Sequence, residues 1–169
     1  MSQRVIILRG PTGSGKSTIA KSYRDFEGKV AWLKVDNFKD FFAEDASPAL
    51  EYVNGVAVAT FEYLLKQGFS VVADGVFQDT SAIDKAVEIA NQNDTPIKVF
   101  ELELSLDELQ KRDQNRAGVK EGLRKPIDEE TLERIYNTLR NNPYPSAIKL
   151  DVENNSVEDC KNIIDENFK

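Results

Sequence analysis

One run near the start of the chain has the residue types and spacing of a phosphate-binding loop. Residues 10–17 read Gly-Pro-Thr-Gly-Ser-Gly-Lys-Ser, which fits the pattern G-x-x-x-x-G-K-[ST] at every fixed position. Glycines allow a backbone to adopt positive φ and to bring its N–H groups close to an anion. Lys16 adds a positive charge for the β- and γ-phosphates, and the Ser17 hydroxyl can be a ligand of Mg²⁺. The pattern predicts binding of a nucleoside triphosphate.

The residues around the loop favour this interpretation over a glycine-rich turn with a chance lysine. The apolar run Val5–Leu8 predicts a buried strand before the loop, and Thr18–Tyr23 can continue as a helix after it. A dinucleotide fingerprint would need a third glycine, which the overlapping run 13–18 lacks. We predict that the nucleotide contacts a continuous stretch: Gly10, Pro11, Thr12, Gly13, Ser14, Gly15, Lys16, Ser17 and Thr18.

Two aspartates follow apolar strands, at the strand ends where ligands bind in open parallel sheets. Asp36 follows the run 30–35 and is predicted to accept the proton of an acceptor hydroxyl, the alternative being a helix N-cap. Asp74 is similar to a Walker B carboxylate and is predicted, with Ser17, to bind Mg²⁺; the alternative is an Asp-Gly turn. No glutamate follows Asp74, which favours transfer to an acceptor over hydrolysis.

Two arginines stand four residues apart on a predicted helix and therefore on one face of it. Arg112 and Arg116 are predicted to close over the triphosphate, with Arg116 favoured as the acting residue. The alternative is a solvated helix face on which Glu108 pairs with Arg112. Arg124 and Lys125 could join from the polar segment that follows.

Composition excludes several classes of chemistry. The 169 residues contain no histidine, so histidine bases, histidine metal sites and Ser-His-Asp triads are excluded. A single cysteine excludes an internal disulfide. The net charge is −7 and the 22 basic residues are scattered, which disfavours a nucleic-acid partner. With no membrane-length apolar run and no leader pattern, we expect one cytoplasmic domain over residues 1–169 and no membrane contact. Oligomeric state is not predicted.

Apolar runs alternate with helical patterns, which predicts an α/β fold with a mostly parallel sheet. The predicted strands are Val5–Leu8, Val30–Val35, Phe69–Ala73, Ile97–Leu102 and Ala147–Leu150. The predicted helices are Lys16–Asp25, Ala49–Gln67, Ser81–Asn93, Leu106–Arg116, Asp128–Arg140 and Val157–Asn167. A short lid is expected at about residues 112–127.

With these residues placed, the chain resembles the small P-loop kinases, especially the group with chloramphenicol phosphotransferase and the kinase domain of polynucleotide kinase. The resemblance consists of GPTGSGKST, VDNF, VVADG, the spacing of Arg112 and Arg116, and a closing IKLDVENNSVED segment. It implies a three-layer P-loop NTPase sandwich, a five-stranded parallel sheet of order 2-3-1-4-5 with helices on both faces. It also implies ATP and Mg²⁺ as cofactors, Asp36 as general base and two lid arginines.

The resulting hypothesis is an ATP- and Mg²⁺-dependent phosphotransferase, with Lys16, Asp36, Arg112 and Arg116 as its catalytic residues and a small-molecule hydroxyl as acceptor. A polynucleotide or nucleotide 5′-kinase shares all these motifs and stays open as an alternative. So does an ATP-binding switch that hydrolyses the nucleotide or performs no chemistry.

Overall fold

Five short apolar strands form one parallel sheet. The computed structural model describes residues 2–23, 28–42, 50–122 and 125–169. The strands are β1 (Val5–Arg9), β2 (Val30–Lys34), β3 (Ser70–Gly75), β4 (Ile97–Glu103) and β5 (Ile148–Asp151). Every neighbouring pair runs parallel, and the order across the sheet is β2-β3-β1-β4-β5. The predicted strand order 2-3-1-4-5 is confirmed.

Helices cover both faces of the sheet. They are α1 (Lys16–Lys21), α2 (Leu50–Lys66), α3 (Ser81–Gln92), α4 (Leu106–Gln114), α5 (Ala117–Lys120), α6 (Glu129–Asn141) and α7 (Val157–Glu166). Side chains of β1 alternate between the faces, as strand geometry requires. Val5 and Ile7 pack in a core with α2 and α3, whereas Ile6 and Leu8 pack in a second core with α1, α4, α6 and α7. The predicted three-layer sandwich is therefore confirmed.

The strand register brings the ends that carry polar residues together. Leu8, the residue before the last of β1, stands beside Asp74 of β3 on one side and Phe100 of β4 on the other. Lys34, the last residue of β2, is the register partner of Asp74. Because all strands are parallel, their carboxyl ends share one edge of the sheet, and the loop after β1 begins at the middle of that edge.

Local structure differs from the sequence prediction in two connections. Strand β2 ends at Lys34, one residue early, and a 3-10 helix covers Val35–Phe41. Val35 and Phe38 of this 3-10 helix are buried and pack into the core, so the chain turns at Val35 and does not continue as a strand. The segment predicted as a short lid, at about residues 112–127, includes the helix α5. The predicted helix ends at Asp25 and Ala49 lie outside the described residues.

Helix α4 carries one of the predicted lid arginines, Arg112. The prediction that Arg116 stands on the same helix is wrong, because α4 ends at Gln114 and Arg116 lies in the connection to α5. A neighbouring loop holds the start of α4. Ser105 caps it by accepting from the Glu108 N–H at 3.2 Å. The Ser105 N–H donates to Glu153, 2.7 Å away in the loop after β5. The position of α4 is thus tied to the end of β5. Among the described residues, no helix has the length and apolar character needed to cross a membrane.

Candidate nucleotide-binding site

The loop between β1 and α1 has the backbone conformation that its glycines predict. Gly13 and Gly15 have φ values of 91° and 100°, a region that side-chain-bearing residues rarely adopt. The Ser14 N–H donates to the Pro11 carbonyl at 3.2 Å, which closes the turn. Helix α1 then begins at Lys16, so that lysine and hydroxyl side chains follow the turn directly.

Lys16 is buried inside its own loop. Its Nζ donates to the carbonyls of Gly10 and Pro11, both at 2.7 Å. Burial lowers the pKa of Lys16 to about 8, although the carboxylates of Asp36 and Asp74 act to raise it. The loop therefore holds a cation that is desolvated and close to two acidic groups.

Ser17 and Asp74 meet at the end of β3. The Ser17 hydroxyl donates to Asp74 Oδ2 at 2.7 Å, and Asp74 is only 2% exposed. The other oxygen, Oδ1, accepts from the Trp32 indole N–H at 2.6 Å. A hydroxyl beside a carboxylate supplies the oxygen ligands that Mg²⁺ prefers, and Mg²⁺ commonly takes one or two protein ligands and completes its shell with phosphates and water. The donor set fits this metal.

A cleft of about 680 Å³ opens beside the loop and brings most of the predicted site residues together. Lys16, Ser17 and Thr18 line it with Asp36, Asp74 and Arg116. Asp36 is the second residue of the 3-10 helix and not its N-cap, which is Lys34. It has no hydrogen-bond partner among the described residues. Thr12, Gly13 and Gly15 also line the cleft, whereas Gly10 and Pro11 face another cavity and Ser14 is fully buried.

The two predicted lid arginines have different surroundings. Arg116 lines the cleft and pairs with Asp113 at 2.7 Å. Asp113 is 1% exposed and also accepts from the Ile127 N–H at 2.7 Å, so it holds the two ends of the segment between α4 and α6 together. The predicted residue Arg124 lies outside the described residues.

Arg112 is not among the residues that line the cleft. It pairs with Glu108 at 2.8 Å, which the alternative interpretation anticipated. Its Nη2 also donates to the Val152 carbonyl at 2.8 Å, and its Nη1 lies 3.5 Å from the Ser14 carbonyl. Arg112 therefore links α4, the phosphate-binding loop and the end of β5.

Three residues at the site carried no motif and were not predicted. Lys34 lines the cleft and, through its charge, acts to lower the pKa of Lys16. Trp32 binds Asp74, and the buried Arg9 lies directly before the loop. The only sequence signal for Arg9 is a charged residue at the end of an apolar strand. For Trp32 and Lys34 the signal is alternation along β2, since both share a face of that strand.

A second cavity of about 400 Å³ lies behind Gly10 and Pro11, between the ends of β4 and β5 and helix α6. Its wall includes Lys149, which pairs with Glu101 at 2.7 Å and Glu103 at 3.2 Å. Asn154 donates to Asp151 at 2.8 Å in the same wall. These charged and polar groups bind one another, and the run 151–155 forms a hydrogen-bonded turn.

Comparison with known proteins assigns the chain to a family. Residues 5–141 match a family model described as an AAA domain, and the chain belongs to that family. Among curated proteins, none matches the sequence significantly.

Solved structures of low sequence identity share the fold. A tunicamycin resistance protein from Deinococcus radiodurans is 13% identical with a TM-score of 0.68, over 98% of this chain and 95% of that one. A gluconokinase from Sinorhizobium meliloti 1021 is 19% identical with a TM-score of 0.66, over 98% and 95%. A chain of the Pnkp1/Rnl/Hen1 RNA repair complex is 22% identical with a TM-score of 0.68, over 86% of this chain and 47% of that one. The fold is that of P-loop kinases, as the resemblance implied.

Proposed function

We propose that this protein transfers the γ-phosphoryl group of ATP, with Mg²⁺, to a hydroxyl of a small-molecule acceptor. The observation that carries the proposal is the position of Asp36. Its carboxylate lines the same cleft as Lys16, Ser17 and Asp74 and has no described hydrogen-bond partner. A protein that only binds nucleotide has no need of such a carboxylate, whereas a kinase uses it to accept the proton of the attacking hydroxyl.

The phosphate-binding loop would hold the triphosphate. Backbone N–H groups around Gly13 and Gly15 bind the phosphate oxygens, and the Lys16 ammonium exchanges its two carbonyl partners for the β- and γ-phosphates. Ser17 and Asp74 would hold Mg²⁺, which supplies neutralisation of the phosphate charge when it is bound.

Transfer forms one bond and breaks another. The acceptor hydroxyl oxygen bonds to the γ-phosphorus, the bond from that phosphorus to the β–γ bridging oxygen breaks, and ADP leaves. Asp36 orients the hydroxyl and takes its proton. Arg116 stabilises charge on the transferred group, for which its guanidinium must turn from Asp113 toward the cleft. Arg112 keeps the loop against the end of β5.

The lining of the cleft combines many polar and charged residues with the apolar side chains of Val53, Phe77 and Ile135. A small-molecule site needs such apolar contact area together with polar groups that orient the ligand, which supports a small acceptor. A second candidate, a 5′-kinase of nucleotides or polynucleotides, is favoured by Lys34 and Lys39, two cations on the same cleft that could bind acceptor phosphates.

The test is transfer of label from γ-³²P-ATP with Mg²⁺ to a panel of acceptors. The panel contains hydroxylated metabolites, aminoglycoside and phenicol antibiotics, nucleosides and 5′-hydroxyl oligonucleotides. Asp36→Asn should abolish labelling, whereas Asp40→Asn, which removes the same charge from the same 3-10 helix, should retain it.

The outcome separates the candidates. Label in a neutral small molecule, lost only in Asp36→Asn, supports the proposal. Label confined to oligonucleotides or nucleotides, with binding that weakens steeply as salt is added, establishes the second candidate. Bound ATP that is only hydrolysed, or is left intact with every acceptor, would instead favour the nucleotide switch.

A further inference from the structure

Both oxygens of the Asp74 carboxylate have a hydrogen-bond donor, and the two donors come from different elements. Ser17 of α1 donates to Oδ2 at 2.7 Å, and Trp32 of β2 donates to Oδ1 at 2.6 Å. A single hydrogen bond would let the carboxylate rotate, whereas two bonds to opposite oxygens define its plane. Trp32 therefore fixes the orientation of Asp74.

The sheet explains why a tryptophan can do this. Trp32 stands beside Val72 in the register of β2 and β3, and Lys34 stands beside Asp74. Side chains two residues apart on a strand share a face, so Val72 and Asp74 lie on the same face of β3. The indole therefore reaches diagonally from its position opposite Val72 to Asp74. The rest of the ring is packed against the core that contains α1. An indole N–H is a donor only, so it cannot replace the carboxylate as a metal ligand.

We propose that Trp32 is a positioning residue for the metal carboxylate: it holds Oδ1 so that Oδ2 and the Ser17 hydroxyl stay directed to the cleft. This inference rests on the proposed function, because it concerns the Mg²⁺ of a bound nucleotide. Partners that orient a ligating carboxylate typically contribute tenfold to a hundredfold in metal affinity. The effect of losing the indole N–H should therefore appear in Mg²⁺ binding, before any acceptor is involved.

Trp32→Phe removes the donor and keeps an aromatic ring. Calorimetric titration with ADP, in Mg²⁺ and in EDTA, separates binding of the metal from binding of the nucleotide. We expect Trp32→Phe to weaken Mg²⁺ binding in the ADP complex by about tenfold to a hundredfold and to leave ADP affinity in EDTA unchanged. Val30→Ala is the matched control, because Val30 lies on the same strand and packs against the same core but stands beside Ser70 in the register.

Coupling to Asp74 tests the route of the effect. In an Asp74→Ala background Trp32→Phe should cause no further loss of Mg²⁺ affinity, since its hydrogen-bond partner is gone. The inference would be overturned if the losses of Mg²⁺ affinity in Trp32→Phe and Asp74→Ala added fully in the double variant. It would also be overturned if Trp32→Phe lost as much ADP affinity in EDTA as in Mg²⁺. Wild-type Mg²⁺ affinity in Trp32→Phe would also overturn it.

A further test uses the wild-type protein and therefore does not depend on whether a variant folds. Trp32 is the single tryptophan, so the emission of the protein reports on the surroundings of this indole. ADP with Mg²⁺ should change the emission more than ADP in EDTA. If calorimetry shows Mg²⁺-dependent ADP binding and the emission does not respond to Mg²⁺, the inference fails and the proposed function stands. If wild-type protein binds no nucleotide with Mg²⁺, both fail.

Discussion

Arg9 and Glu101 form an ion pair beneath the phosphate-binding loop, and Arg9 is only 1% exposed. Arg9 is the last residue of β1, so its guanidinium lies where the loop begins. Its Nε donates to the Phe77 carbonyl at 3.0 Å, and its Nη2 donates to the Asn142 carbonyl at 2.9 Å. One side chain thus ties the base of the loop to a wall of the cleft and to the end of α6.

The backbone of Phe77 shows that this connection holds an unusual conformation. Its φ is 47°, one of two positive values among the described residues other than glycine. The ring lies against Gly75, where a Cβ would come within 2.9 Å of it. The bond from Arg9 therefore helps to hold the cleft wall that follows Asp74.

Arg9→Met should cost up to about 3–5 kcal/mol in the free energy of unfolding, because it removes one of the two cations that pair with the buried Glu101 and leaves Lys149 as the other. Lys66→Met is the control: its partner Glu62 is exposed, and the loss should be under about 1 kcal/mol. Urea unfolding measures both. If Arg9→Met were as mild as the control, the buried pair would not stabilise the fold.

Acid should weaken the same cluster. Burial alone would raise the pKa of Glu101, but hydrogen bonds from Lys149, the Tyr144 N–H and Arg9 outweigh it and lower that pKa below its ordinary value. A carboxylate with a lowered pKa contributes stability that is present above its unfolded pKa of about 4.5 and is lost as the pH falls through the lower folded value. Glu101→Gln should therefore flatten the loss of stability in this acidic window, measured by urea unfolding across pH. An unchanged slope would exclude Glu101 as its source.

Nucleotide binding above about pH 8 should take up a proton. The pKa of Lys16 is about 8 in the free protein, and bound phosphates favour its charged form. Affinity should therefore fall as the pH rises above about 8 and be independent of this group below it. Calorimetry in buffers of different ionisation enthalpy counts the proton, and Lys16→Arg, which stays charged, should take up none. Equal uptake in both proteins would assign the proton to another group.

The lowered pKa of Lys16 also predicts how the stability of the free protein changes with pH. Unfolding returns the pKa of Lys16 from about 8 to 10.5, so the unfolded chain binds more protons between these values. Stability from this group therefore rises with pH through that window, and Lys16→Met should remove the rise. Chemical unfolding at about pH 7.5 and about pH 10 compares the two proteins. A rise that persists in Lys16→Met would contradict the assignment.

Gly10→Ala should disturb the loop by crowding. Its new Cβ would lie 2.9 Å from Ser14 Oγ and 3.2 Å from Leu102 Cβ. Ser14 Oγ is buried and has no hydrogen-bond partner among the described residues, so Ser14→Ala alone should cost little or stabilise by up to about 1 kcal/mol. The double variant should regain part of the nucleotide affinity lost in Gly10→Ala. No recovery would place the crowding at Leu102.

Arg116→Ala should reduce turnover by about three powers of ten, because Arg116 lines the cleft and is proposed to stabilise the charge of the transferred phosphoryl group. Arg112→Ala should act mainly on nucleotide affinity, since it frees the loop from Val152. Lys111→Ala, at an exposed position of α4, should change neither turnover nor nucleotide affinity. Steady-state kinetics with an identified acceptor distinguish them; equal losses in turnover for both arginines would contradict this division.

The sequence by itself determined the phosphate-binding loop, the α/β class and the placement of Asp36 and Asp74 at the ends of strands, because each follows from a short motif or a local alternation of apolar residues. The resemblance supplied the strand order.

Tertiary structure decided which side chains meet. Trp32 and Asp74 are 42 residues apart, Arg9 and Glu101 are 92 apart, and Arg112 reaches Val152 across 40. Such contacts depend on the register between strands and on the packing of helices against the sheet. A local sequence pattern determines neither the register nor the packing. For the same reason the prediction that Arg112 and Arg116 share one face of a helix is wrong. Helix α4 ends at Gln114, and packing placed Arg116 on the cleft and Arg112 against the end of β5.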